Sequence, residues 1–356
     1  MWSKEKAWEW YKNQPWIVGM NYVPSYAVNS TEMWQKESFD IGVIEKELIK
    51  AEELNFNVAR VFLQYILYKE DKESFFNNFE SFVSVAFKHG IKTMPILFDD
   101  CAFACMEPKL GKQWEPLPCV HNGRWTASPG FVYADSESEA PFLESYVKEI
   151  VGKYKDDGRI ILWDLYNEPG NSERKEKCHK LLKNTFKWAR EVNPSQPLSA
   201  CIWAYSDFDK LCCELSDIIN FHDYSDMEIT KRRLEFLEQY DRPMVCTEWL
   251  NRPLSNTFET HVPLYKEKNI GIVNWGLVAG KTQTYLSWDS SKNPKDGKPE
   301  VWQHDIFDED LNPYNEKEIE FIKPSLCFRI SILAADSSRQ RRFILPSLRA
   351  LSTASY

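Results

Sequence analysis

Eight short apolar, β-branched runs alternate along this chain with amphipathic segments, and from first to last they span about 260 residues, close to the ~250 of a closed eight-stranded α/β barrel. Such alternation argues for parallel strands joined by crossover helices. The sequence therefore predicts the α/β class, a (β/α)8 TIM barrel in a single domain with long loops after strands 3 and 8. Strands are expected at 16–23, 57–63, 92–98, 160–166, 197–203, 217–223, 243–248 and 271–277. Helices are expected at 43–54, 73–89, 141–154, 173–192, 229–240 and 257–268, with His89-Gly90 and Asn193-Pro194 as stops.

Two connections are too long for plain turns. Residues 99–140 contain Pro108, Gly111, Pro116, Pro118, Gly123, Pro129 and Gly130, yet also Trp114, Trp125, Phe131 and Tyr133. Loops beyond ~15 residues are usually functional or disordered; the aromatics argue against disorder, so this loop is expected to fold over the barrel mouth. The second, 278–316, carries Tyr285, Trp288, Trp302 and His304. Residues 1–335 are read as the catalytic domain. Residues 336–356, Ser-rich and offering only Asp336 against four arginines, are read as an appended tail.

Composition excludes several classes. A net charge of −9 and the lack of a basic, aromatic-interleaved stripe argue against a nucleic-acid partner. No apolar stretch is long enough for a membrane span. The start, Met1-Trp2-Ser3-Lys4-Glu5-Lys6, has no apolar signal core, so the expectation is a secreted protein with its signal removed or a cytoplasmic one. A monomer is expected. Nine cysteines, an odd number, imply no disulfide framework. Cys101, Cys105 and Cys119 share one loop with His121, but no CxxC pair is present, and neither a metal nor a cofactor is expected. Fourteen tryptophans and sixteen tyrosines supply flat rings suited to the apolar faces of sugars.

In a barrel of this kind, polar groups at the C-terminal ends of strands are the first candidates for chemistry. The second strand offers Arg60, the fourth Asn167-Glu168-Pro169, the sixth His222 and Tyr224, the seventh Thr247-Glu248-Trp249 and the eighth Trp275. Two glutamates at strand ends are what glycoside hydrolysis needs on either side of a sugar. Asp99 and Trp125 are candidate pocket walls, as are Asp100, Trp34, Trp249 and Trp288. Arg60 has a second reading as the partner of an inward acid such as Asp164. The Glu316-Glu318-Glu320 run reads as a solvated helix face.

Over residues 14–323 this pattern resembles glycoside hydrolase clan A, and within it the family 5 cellulase-type enzymes. The resemblance implies that Glu168 is the acid/base and Glu248 the nucleophile of a retaining enzyme. It also implies that Arg60, Asn167, His222, Tyr224 and Trp275 belong to the substrate site, to which Asp99 and Trp125 are added from their positions. The family usually presents a His after strand three, where this chain has Phe98-Asp99-Asp100. The implied activity is hydrolysis of a β-linked glucan, xylan or mannan chain, so a carbohydrate is the expected partner. An exo-acting enzyme trimming oligosaccharides is the neighbouring alternative. A non-catalytic carbohydrate-binding barrel would have no need of both glutamates.

Overall fold

The computed structural model describes residues 1–103 and 106–326. Its parallel strands are β1 (Val18–Asn21), β2 (Val58–Phe62), β3 (Lys92–Asp99), β4 (Trp163–Asn167), β5 (Leu198–Ser199), β6 (Cys201–Ile202), β7 (Ile219–His222), β8 (Met244–Glu248) and β9 (Gly271–Trp275). Their order in space is β5-β4-β3-β2-β1-β9-β8-β7-β6. Nine replaces the expected eight because the fifth barrel strand is split. Leu198–Ser199 pairs with β4 and Cys201–Ile202 with β7. Between them Ala200 gives its N–H to Ser216 Oγ at 3.0 Å, outside the ladder. Since the two pieces are consecutive in the chain, the ring closes across them as a (β/α)8 barrel.

Every expected strand overlaps an observed one. The six expected helices are present as Ile41–Glu53, Lys72–Lys88, Ala140–Tyr154, His179–Glu191, Met227–Glu238 and Phe258–Glu267. The fourth starts later than its periodicity implied, because Ser172, Glu173 and Lys175 take positive φ and a single 3-10 turn, Lys175–Cys178, precedes it. The tail assigned to 336–356 lies outside the described residues, as do Cys105 and Cys327. Among the described residues no helix is long and apolar enough to cross a membrane.

Period-two alternation sets the layers of the barrel interior. On β2, Ala59 and Val61 face the surrounding helices, while Val58, Arg60 and Phe62 point inward at three successive heights. The lowest layer is apolar: Val58, Met94, Leu162, Val245 and Val273 meet Ala7 and Tyr11 of the helix Lys4–Lys12, which plugs that end. Ser3 caps this helix by accepting from the Lys6 N–H, and the Tyr11 hydroxyl bonds to the carbonyls of Met244 (3.3 Å) and Asn269 (2.9 Å). One expectation fails on the exterior. Glu318 is not solvated but 4% exposed, because it answers the Arg252 side chain, itself only 5% exposed, through two hydrogen bonds, and a guanidinium taken out of water needs a partner.

Candidate active site

The opposite end of the barrel is polar and strained. Arg60 is fully buried and spends all five of its N–H donors within the protein: on Asp164 (2.9 and 2.7 Å), Asn21 (2.6 Å), Asn167 (2.6 Å) and Glu248 Oε1 (2.8 Å). Both readings of Arg60 thus apply, since it neutralises Asp164 and also orients Glu248. It has no donor left for a sugar, which corrects its assignment as a substrate contact. Tyr224 donates to the other Glu248 oxygen at 2.8 Å, so one carboxylate is gripped by a guanidinium and a phenol.

Glu168 follows the last residue of β4 in a left-handed conformation, φ 40°, that a side chain other than glycine rarely takes. Gly170, at φ 87°, continues the turn and donates its N–H to Asp100 Oδ2 at 2.8 Å, while Tyr166 and Arg174 hold the other Asp100 oxygen. That clamp turns the Glu168 side chain toward His222, whose Nδ1 lies 2.8 Å from Glu168 Oε1 and 3.4 Å from Glu248 Oε2. The second Glu168 oxygen takes Asn171 Nδ2 and, at 3.2 Å, the Cys101 thiol.

Glu168, His222 and Glu248 each offer an atom within 4.8 Å of the others, the closest approach to metal-ligand spacing among the described residues. A guanidinium already sits on Glu248, and its positive charge opposes a second cation there. The cysteine and histidine of the long loop do not gather: Cys101 joins Glu168, Cys119 is part-exposed, and His121 Nδ1 bonds the Leu286 carbonyl.

A cavity of about 730 Å³ opens above the pair. Its walls include Asn167, Trp125, Trp203, Tyr224, Trp275 and Trp288. Asp99 does not reach it. Buried to 3%, Asp99 accepts from Asn167 Nδ2 (2.9 Å), Trp125 Nε1 (2.7 Å) and the Cys101 N–H (2.9 Å), so it positions the wall rather than touching a ligand, a correction to its expected role. Trp125 lines the cavity but is only 1% exposed, wedged edge-on between Phe62 and Trp275. Trp288, 44% exposed, offers a freer ring. Trp34 and Trp249 are fully buried and absent from the walls, and Asp100 lies behind the acidic turn.

Burial shifts the titrating groups. Desolvation raises Asp99 to about 7 and lowers His222 to about 4, leaving the imidazole neutral. It also raises both glutamates. Of the two, Glu248 is the one held ionised, since it takes a direct guanidinium contact, whereas the donors on Glu168 are neutral.

The two long loops meet across the mouth. Asn122 N–H donates to the Thr282 carbonyl (2.7 Å), His121 N–H to Ser290 Oγ (2.9 Å), and Gln283 Nε2 to the carbonyls of Leu117 (2.7 Å) and Val120 (3.2 Å). Sequence reasoning missed Asn171, Trp203, Arg233 and Leu254 as wall residues. Only Asn171, three residues past Glu168, carried a local signal.

Comparison with known proteins gives the family and the fold. The family model described as Cellulase (glycosyl hydrolase family 5) matches residues 22–284, well over half of the chain. No curated protein matches the sequence. Among solved structures the chain is similar to a GH5_18 enzyme from Bifidobacterium longum subsp. longum in complex with Manβ1-4GlcNAc, at 12% identity and TM-score 0.57, covering 87% of this chain and 77% of that one. It is also similar to an exo-β-1,4-mannosidase from Opitutaceae bacterium strain TAV5, at 16% identity and TM-score 0.56, covering 87% and 59%. A third likeness is to the endo-β-1,4-mannanase of Thermotoga petrophila, at 12% identity and TM-score 0.56, covering 89% and 77%. The chain belongs to glycosyl hydrolase family 5 and is an O-glycosyl hydrolase.

Proposed function

We propose that this protein is a retaining β-glycosidase in which Glu248 is the nucleophile and Glu168 the acid/base. The observation that carries this reading is the carboxylate pair, with oxygens within 4.8 Å across the cavity floor. Retaining enzymes hold their carboxyls ~5–5.5 Å apart, inverting ones ~6.5–9.5 Å. Glu248, kept ionised by Arg60 and Tyr224, attacks the anomeric carbon while Glu168 delivers its proton to the departing glycosidic oxygen. In the second half Glu168 takes a proton from water, which attacks the same carbon and releases Glu248. Asn167, held by Arg60 and Asp99, faces the sugar 2-hydroxyl, where hydrogen bonds strengthen as the transition state forms.

For the sugar we propose a β-mannoside, on the strength of the named activities and bound ligand of the three similar structures. The joined loops favour action at a chain end over internal cleavage, because 117–122 and 282–290 are bonded together where a through-going cleft would need a gap.

Glu248→Ala should lose turnover and regain it with azide, giving an inverted glycosyl azide. Glu168→Ala should retain cleavage of substrates with good leaving groups and give a retained adduct. If both variants keep near wild-type rates on every substrate the wild type cleaves, the mechanism is wrong. Products from mannooligosaccharides, glucan, xylan and aryl glycosides report sugar and mode together; a ladder of internal fragments would overturn chain-end action.

A further inference from the structure

The two oxygens of Glu168 have different neighbours. Oε2 takes Asn171 Nδ2 and lies 3.2 Å from Cys101 Sγ, whereas Oε1 meets His222 Nδ1. Cys101 is 6% exposed and lines the cavity. Its backbone N–H is fixed on Asp99 Oδ1 at 2.9 Å. Its sulfur is approached by two amide donors, Asn171 Nδ2 at 3.4 Å and Asn167 Nδ2 at 3.6 Å. With its lone pairs taken by those amides, the thiol proton has, among the described residues, one acceptor within reach, Glu168 Oε2.

We infer, resting on the assignment of Glu168 as acid/base, that Cys101 is a positioning residue: its S–H occupies Oε2, so that the proton exchanged with substrate is carried on Oε1. Oε1 is also the oxygen beside His222, the side chain that reaches toward Glu248 Oε2. The role needs a thiol rather than a thiolate. Burial together with the charges of Glu168, Asp99 and Glu248 pushes the Cys101 thiol well up, so it stays a donor through the working range. Asn171 Nδ2 is the second donor on Oε2 and stays when the thiol is removed, so Cys101 supplies one of two bonds to that oxygen. The other groups packed on Glu168 do not replace the thiol. Cys201 Sγ accepts the Glu168 backbone N–H at 2.9 Å, Arg60 is engaged by Asp164, Asn21, Asn167 and Glu248, and Tyr224 donates to Glu248.

A donor on a carboxylate favours its charged form, so removing it should make Glu168 hold its proton to higher pH. The test is the pH profile of kcat/KM on two aryl β-glycosides, one with a good and one with a poor leaving group, of the sugar that the wild type turns over. Cys101→Ala should move the basic limb up by about half a pH unit to one unit, with the larger rate change on the poor leaving group. Cys101→Ser, which restores a donor, should bring the limb back toward wild type. An unmoved limb in Cys101→Ala, with only a lowered melting temperature, would make Cys101 a packing residue and overturn the inference. Glu168→Gln separates the two claims: a basic limb that survives in it removes Glu168 as the acid, a failure of the underlying assignment, whereas loss of that limb with no response at Cys101 is a failure of the inference alone.

Discussion

The two ends of the barrel interior are built from the same strands and obey opposite rules. At the N-terminal end Val58, Met94, Leu162, Val245 and Val273 close against Ala7 and Tyr11, with Tyr11 touching polar groups only through its hydroxyl. Two residues further along β2, Arg60 sits in the same interior with two carboxylates and two asparagine oxygens around it, and beyond it Glu168 is held at positive φ. The first end is stable because nothing in it needs water. The second persists because its buried charges are paired, and that makes it fragile: deleting one member leaves its partner as an uncompensated buried charge.

The largest effect that contrast predicts is at Arg60. Arg60→Met should cost about 3–5 kcal/mol of stability by leaving Asp164 and Glu248 without their shared cation, and should abolish turnover even where the protein still folds. Chemical denaturation and kcat/KM measure the two losses. A stable, active Arg60→Met variant would erase the distinction between the ends.

A smaller effect concerns pH. Burial raises Asp99 and Asp305 to about 7, so both are protonated in the fold at pH values where the unfolded chain has lost the proton. Their contribution is full below the ordinary carboxyl range near about 4 and is lost as pH rises through about 7. Melting temperature should therefore decline across that window. Asp305→Asn, which keeps an oxygen for the Thr284 hydroxyl (2.9 Å), should flatten part of the decline and leave the Asp99 part. A profile identical to wild type would show that Asp305 ionises freely.

The smallest effect belongs to the apolar end. Tyr11→Phe removes only the hydroxyl bonds, so stability should fall by about 1 kcal/mol, a drop of a few degrees, with kcat/KM unchanged. A change in kcat/KM would mean that the two ends are mechanically coupled.

The residues that mark the active end were legible one at a time. Glu168 and Glu248 each terminate an apolar run, and Arg60, His222, Tyr224 and Trp275 each stand at a strand end; parallel strands in a barrel bring all such ends to one face, so strand order alone implied a common site. Asp99 and Arg60 were misread as substrate contacts because sequence position tells which end of a strand a residue occupies, not whether a neighbour covers it. Trp125, read as a pocket wall, does line the cavity, but the loop that carries it packs most of the ring between Phe62 and Trp275.

By itself, then, the sequence determined the strand and helix alternation, the barrel, the two glutamates and the polar end, because those follow from local periodicity and from which residue types occupy strand ends. Only the tertiary structure decided the split of the fifth strand at Ala200, the joining of the two long loops, the Arg252–Glu318 pair and the placing of Cys101 on Glu168. Each of these is a contact between segments far apart in the chain. Their partners are chosen by which buried donor finds which acceptor in three dimensions, and no period in the sequence records that choice.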